Sequence, residues 1–180
     1  MGQTLTNTVA AGGLVRQTIM AYDVAGRMTQ SVDAAGLVTR TSYSAGGRTV
    51  TVVAPGNATN ISESYMDGRA KSVTGNAVTP SYHDYGVNAD GTQWTSNFTG
   101  SAGLSSPVWT KTTVDLLGRT IREERPGFGG ALVTSTYTYN DNGQLVKSTT
   151  TGSAATLYQY DDLGNRTYSC LDSDGDETID

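Results

Sequence analysis

Residues 22–28 read YDVAGRM and residues 160–166 read YDDLGNR. Weaker versions stand at 43–49 (YSAGGRT), 114–120 (VDLLGRT) and 139–145 (YNDNGQL). A sixth copy, YMDGRA at 65–70, reads one residue short. From Tyr22 to Tyr43 is 21 residues, from Tyr43 to Tyr65 is 22, and from Tyr139 to Tyr160 is 21. A recurring period of this size marks a repeat architecture.

Each motif position has a physical role. An Asp after the aromatic residue (Asp23, Asp161) can accept a hydrogen bond from a backbone N–H two residues on and so open a turn. The glycine three residues later (Gly26, Gly164) takes a positive φ that other residues resist. The cation that follows (Arg27, Arg48, Arg119) starts the return strand, where it can pair with the turn Asp or a neighbouring strand. Between turns, stretches such as TSTYTY (134–139) and LVTRTSY (37–43) alternate with period two. That alternation puts Leu37, Thr39, Thr41 and Tyr43 on one face and Val38, Arg40 and Ser42 on the other.

A second turn series lies between the copies: VDAAGL at 32–37, APGN at 54–57, RPGFGG at 125–130 and TGSA at 151–154. Taken together, turn glycines are expected at Gly26, Gly36, Gly47, Gly56, Gly68, Gly118, Gly130, Gly143, Gly152, Gly164 and Gly175. Turn signals at this spacing between β-rich runs indicate hairpins. The expected fold is all-β, with repeated antiparallel hairpins in a curved or spiralling sheet. The expected organisation is hairpins over 1–75, an irregular aromatic segment of the same array over 76–111, and hairpins again over 112–180.

Composition agrees. Glycine numbers 22 and threonine 28 of 180 residues, while Leu, Ile, Val and Phe together number 32. Low aliphatic content suits an array in which each unit shares a thin apolar layer with its neighbours. A formal charge of −5 and a pI near 4.7 argue against nucleic acid as a partner. No apolar run is long enough for membrane insertion as a helix. The first residues, MGQTLTNTVAAGGLVRQ, lack the charged and apolar regions of a signal peptide. One cysteine, Cys170, cannot form an internal disulfide.

The quoted motifs resemble the YD repeat of the Rhs/YD-repeat family, which includes bacterial Rhs and Tc toxin shell proteins and the animal teneurins. The resemblance is clearest over residues 14–74 and 112–180. It rests on Tyr22, Asp23, Gly26, Arg27, Tyr43, Gly47, Arg48, Gly118, Arg119, Tyr139, Gly143, Tyr160, Asp161 and Gly164. The sequence departs from the family pattern at Ser44, Val114 and Asn165, which replace Asp, Tyr and Arg. The resemblance implies a segment of a β-hairpin shell, non-enzymatic, and secreted or at the cell surface. Its partners would be the remainder of its own repeat shell and an enclosed or attached C-terminal domain. The motif residues would be structural.

Outside the motif, three features bear on function. The segment over residues 75–111 holds His83, Trp94, Phe98 and Trp109. Two readings stand for its aromatics: packing of degenerate hairpins around an Asn88-Ala89-Asp90-Gly91 turn, or a glycan- or protein-binding surface through Trp94 and Trp109 in an adhesin-like module. A Ser-His-Asp site would have to use His83 with Ser81 and Asp84, but the sequence has no nucleophile elbow. Finally, Asp172, Asp174, Asp176 and Asp180 offer alternating carboxylates, the oxygen donors that Ca²⁺ takes. Their competing reading is an acidic turn continuing the series. No other cofactor or metal is expected.

Overall fold

The computed structural model describes residues 2–11 and 14–179. They form two compact units, Met1–Tyr82 and His83–Asp180. Unit 1 contains β1 (Thr4–Ala11), β2 (Leu14–Tyr22), β3 (Met28–Val32), β4 (Val38–Ser44), β5 (Thr49–Ala54), β6 (Ala58–Ser64), β7 (Ala70–Thr74) and the start of β8 (Ser81–Val87). Unit 2 continues β8 and adds β9 (Gln93–Thr99), β10 (Val108–Val114), β11 (Thr120–Pro126), β12 (Leu132–Tyr139), β13 (Leu145–Thr150), β14 (Ala155–Tyr160) and β15 (Arg166–Asp172). Within each unit the strand order is the chain order, and neighbouring strands are antiparallel. The fold is therefore all-β and built from successive hairpins. Helical structure among the described residues is limited to short 3₁₀ turns.

The expected chemistry of the turns holds. All eleven glycines of the two turn series have φ between +75° and +90°. In the first motif the Asp23 N–H bonds the Arg27 carbonyl, and the Gly26 N–H bonds the Asp23 carbonyl. Asp23 Oδ1 accepts from the N–H groups of both Ala25 and Arg27, each at 2.9 Å. The same frame recurs at Asp115, Asn140 and Asp161. Five hairpins also carry a β-bulge just past the turn, so that Tyr22 pairs with Met28 while Ala21 pairs with Gln30. The other bulges lie in β6–β7, β10–β11, β12–β13 and β14–β15. A bulge bends the strand and raises local twist, so the repeat carries its distortion at a fixed place.

Two copies fit the frame differently from their sequence reading. In YMDGRA the Tyr65 N–H bonds the Arg69 carbonyl and the Gly68 N–H bonds the Tyr65 carbonyl. Tyr65 thus fills the Asp position, Ser64 fills the aromatic position, and the turn has full length. Asp67 takes over the side-chain cap by accepting from the Arg69 N–H at 3.0 Å. In YSAGGRT, Ser44 makes no capping bond, and the ladder runs on to a Ser44–Thr49 pair. The chain then turns through Ala45, Gly46 and Gly47, all at positive φ. Losing the Asp cap therefore moves the turn by one residue and leaves an alanine in a conformation that normally favours glycine.

From Thr39 onward the alternation along β4 is as expected: Thr39, Thr41 and Tyr43 are half-buried, whereas Arg40, Ser42 and Ser44 are exposed. At the strand's start it departs from expectation, with Leu37 exposed and Val38 half-buried. The core is thin. Among the described residues only Phe98, Ala155 and Leu157 are buried hydrophobics.

Candidate functional site

The motif hairpins turn along one edge of each unit and the second series along the other, where Asp33 repeats the motif frame. This alignment joins each motif to the next. Arg27 closes an ion pair with Asp23 at 2.7 Å. Its guanidinium lies over the Tyr43 ring, 4.4 Å from the centroid. The Tyr43 hydroxyl donates to the Met28 carbonyl at 2.9 Å. In unit 2, Arg119 pairs with Asp115 at 2.7 Å and lies 4.7 Å from the Tyr139 centroid. The Tyr139 hydroxyl donates to the Thr120 carbonyl at 2.8 Å. Where Gln144 replaces Arg, the ion pair goes but the Tyr160 hydroxyl still reaches the Leu145 carbonyl at 2.9 Å.

The rule is the same in all three cases. Each of these three tyrosines donates to the carbonyl just after the cation position of the preceding motif. The next motif's glycine lies beneath that same side chain: a Cβ on Gly143 would stand 3.6 Å from Arg119 Nη1, and one on Gly47 3.4 Å from Arg27 Nη1. Tyr, Asp, Gly and Arg therefore form one joint spanning two repeats. Removing a single hydroxyl should weaken it measurably. Tyr139→Phe is expected to cost about 1 kcal/mol, the net worth of one hydrogen bond, read by chemical denaturation.

The turn carboxylates are held in their charged form. Asp23 sits below the usual aspartate value of 3.8 because the Arg27 amide and guanidinium bond it. Arg69 does the same for Asp67, and the Asn165 side chain and amide for Asp161. At Asp115 burial opposes the shift, and the Arg119 amide and guanidinium overcome it. A folded-state value below the unfolded one stabilises fully above the unfolded value and is lost as pH falls through the folded value. The melting temperature should therefore hold from about pH 7 to 5 and drop below about pH 4. A flat profile into stronger acid would contradict this.

The opposite edge has a latch that the motif pattern does not mark. In unit 1, Asn76 Oδ1 accepts from the Thr59 N–H at 2.6 Å, and its Nδ2 donates to the Asn57 carbonyl at 3.0 Å. In unit 2, Thr151 Oγ1 accepts from the Thr134 N–H at 2.9 Å and donates to the Thr134 carbonyl at 3.2 Å. Both latches close over 17 residues. Asn76 belongs to no repeated motif, and although Thr151 opens the TGSA turn, the turn pattern does not mark a partner 17 residues back.

The aromatic segment resolves into hairpins. Asn88 opens a turn of the motif type, with the Asn88 N–H on the Thr92 carbonyl and the Gly91 N–H on the Asn88 carbonyl. Register places Trp94, Ser96 and Phe98 on one face with Thr113, Lys111 and Trp109 opposite them. Trp94 packs against Gly86 and lies under the Lys111 ammonium, 4.7 Å from the ring centroid. Trp109 stands opposite the buried Phe98. His83 Nδ1 lies 2.6 Å from Asn97 Oδ1. Asp84 follows it directly on β8 and so points to the other face.

The carboxylate oxygens of Asp172, Asp174 and Asp176 come within 4.8 Å of one another, and Asp172 is 8% exposed. Asp172 Oδ1 also accepts from the Gly175 N–H at 2.8 Å, as an acidic turn would require. Asp180 lies outside the described residues.

A family model described as RHS Repeat matches residues 22–59 and 132–176. No curated protein matches the sequence. Among solved structures, the crystal structure of TcdB2-TccC3-Cdc42 is similar at a TM-score of 0.40 and 12% identity, covering 93% of this chain and 12% of that one. A second, TcdB2-TccC3 without its hypervariable C-terminal region, gives a TM-score of 0.38 at 12% identity with the same coverage. The chain thus spans 12% of the length of each of these structures. No helix of the described residues is long and apolar enough to cross a membrane.

Proposed function

We propose that the chain, matched by the RHS Repeat model over residues 22–59 and 132–176, is a non-enzymatic structural segment of a β-hairpin shell that encloses, carries or presents a partner polypeptide, secreted or at the cell surface. The observation that carries this reading is the joint between repeats. The tyrosine hydroxyls, aspartate carboxylates and arginine guanidinia of the motif are spent on one another and on the neighbouring repeat. Such a set of bonds builds a wall. Its test is limited proteolysis of the whole native protein that contains this segment. The partner polypeptide should resist protease until Tyr43→Ala and Tyr139→Ala are introduced together. Digestion of the partner at the rate of the free polypeptide, without those changes, would remove the enclosing role.

A calcium ion on Asp172, Asp174 and Asp176 is a second, separate proposal. Convergence of three carboxylates supports it, since an all-oxygen donor set suits a hard divalent cation. The ion would offset repulsion among the carboxylates and fix the turn after β15. Titration with calcium should raise the melting temperature, and Asp174→Asn should abolish the rise. An unchanged melting curve at millimolar calcium leaves the acidic turn as the whole account.

A further inference from the structure

Strand β11 carries Arg122, Glu123, Glu124 and Arg125 in succession. Alternation places one glutamate and one arginine on each face. On the face shared with Lys111, the couple closes: Arg122 Nη2 meets Glu124 Oε1 at 2.8 Å. On the other face it does not. Glu123 turns its Oε2 to the Tyr137 hydroxyl, which donates at 2.9 Å. The Arg125 side chain makes no hydrogen bond or ion pair among the described residues.

Arg125 borders a cleft of about 420 Å³, a volume in the ordinary range for ligand sites. Three adjacent strands line it: Thr110 and Thr112 on one, Glu123, Glu124 and Arg125 on the next, Val133 and Ser135 on the third. The Glu124 carboxylate is neutralised by Arg122. Residues two apart on a strand stand roughly 6.6 Å apart, which is also the side-chain period of an extended peptide. A guanidinium presents a planar fork of donors suited to a carboxylate. The hydroxyls can give or accept hydrogen bonds along the backbone of such a ligand, and Val133 offers an apolar contact.

We propose that this cleft binds an extended peptide segment through an acidic side chain seated on Arg125. The inference rests on reading the chain as a wall that carries a polypeptide, and it names where one strand of that polypeptide would lie. Its test needs only the chain itself, so a negative result here leaves the protease experiment above to decide the wall.

The probes are acetyl-Thr-Asp-Thr-Thr-amide, the same peptide with Asn for Asp, and succinate, followed by amide shifts in the NMR spectrum. The Asp peptide should give saturable shifts over residues 110–135, and its Asn counterpart should bind about tenfold more weakly. Arg125→Gln should weaken the Asp peptide by a similar factor, and Arg125→Lys by less, because it keeps the charge without the fork. Both variants should melt as the parent does, since Arg125 has no bond to lose. Equal binding of the two peptides, or Asp-peptide binding untouched by Arg125→Gln, would overturn the proposal. Succinate binding as well as the Asp peptide would reduce the cleft to a simple anion site and overturn its peptide specificity.

Discussion

Phe98→Ala is expected to be the most damaging single substitution in unit 2, at about 3–5 kcal/mol. The side chain is 4% exposed, and among the described residues only Ala155 and Leu157 share its class as buried hydrophobics. An array of hairpins shares apolar contacts between neighbours, so its stability is close to a sum of unit and interface terms. Deleting the largest buried side chain on β9 empties the contact with Trp109 on β10. Hydrogen exchange should show protection lost around β9 and β10 first, with β2 to β6 in unit 1 affected least. Uniform loss along the whole chain would mean that the two units do not respond separately.

Gly86→Ala should cost about 1–3 kcal/mol by overpacking. The glycine does not need its conformation: its φ is not positive. It needs the space, because a Cβ there would overlap the Trp94 ring at Cε2, Cζ2 and Nε1. A rigid bicyclic ring lying on backbone cannot yield by a small torsion, so the indole must leave the surface. In a Trp109→Phe background the emission of Trp94 should shift to the red as the ring meets water. An unshifted spectrum with unchanged stability would show that the ring accommodates the methyl group in place. The same contact places Trp94 between strand backbone and Lys111.

Much of the fold is legible in the residues because turns are local. A positive φ favours glycine, an Asx cap needs Asp or Asn, and both recur at fixed offsets, so spacing alone marks eleven turn positions. Half-burial of Thr39, Thr41 and Tyr43 follows from alternation. What stays hidden is whatever crosses between repeats. The aromatic position in YMDGRA misaligns because Tyr65 imitates the motif residue while standing in the Asp slot. The Ser44 turn moves because a hydroxyl there does not supply the carboxylate cap. The Asn76 and Thr151 latches involve partners 17 residues away, which neither turn series marks. The cleft at Arg125 depends on which of two equally spaced charge couples closes, and spacing is silent on that. The motif itself is readable as a turn, whereas its role as a joint needs the register of the next strand.

That joint has a direction. Tyr43, Tyr139 and Tyr160 each take a carbonyl earlier in the chain, never a later one. A polypeptide leaving the ribosome emerges N-terminus first, at about 5–20 residues per second. Every acceptor is therefore synthesised before its donor. A new hairpin meets a finished neighbour, fastens to it, and becomes the template for the one after. Growth of this kind is a one-way zip, and it spares the nascent chain any wait for distant partners.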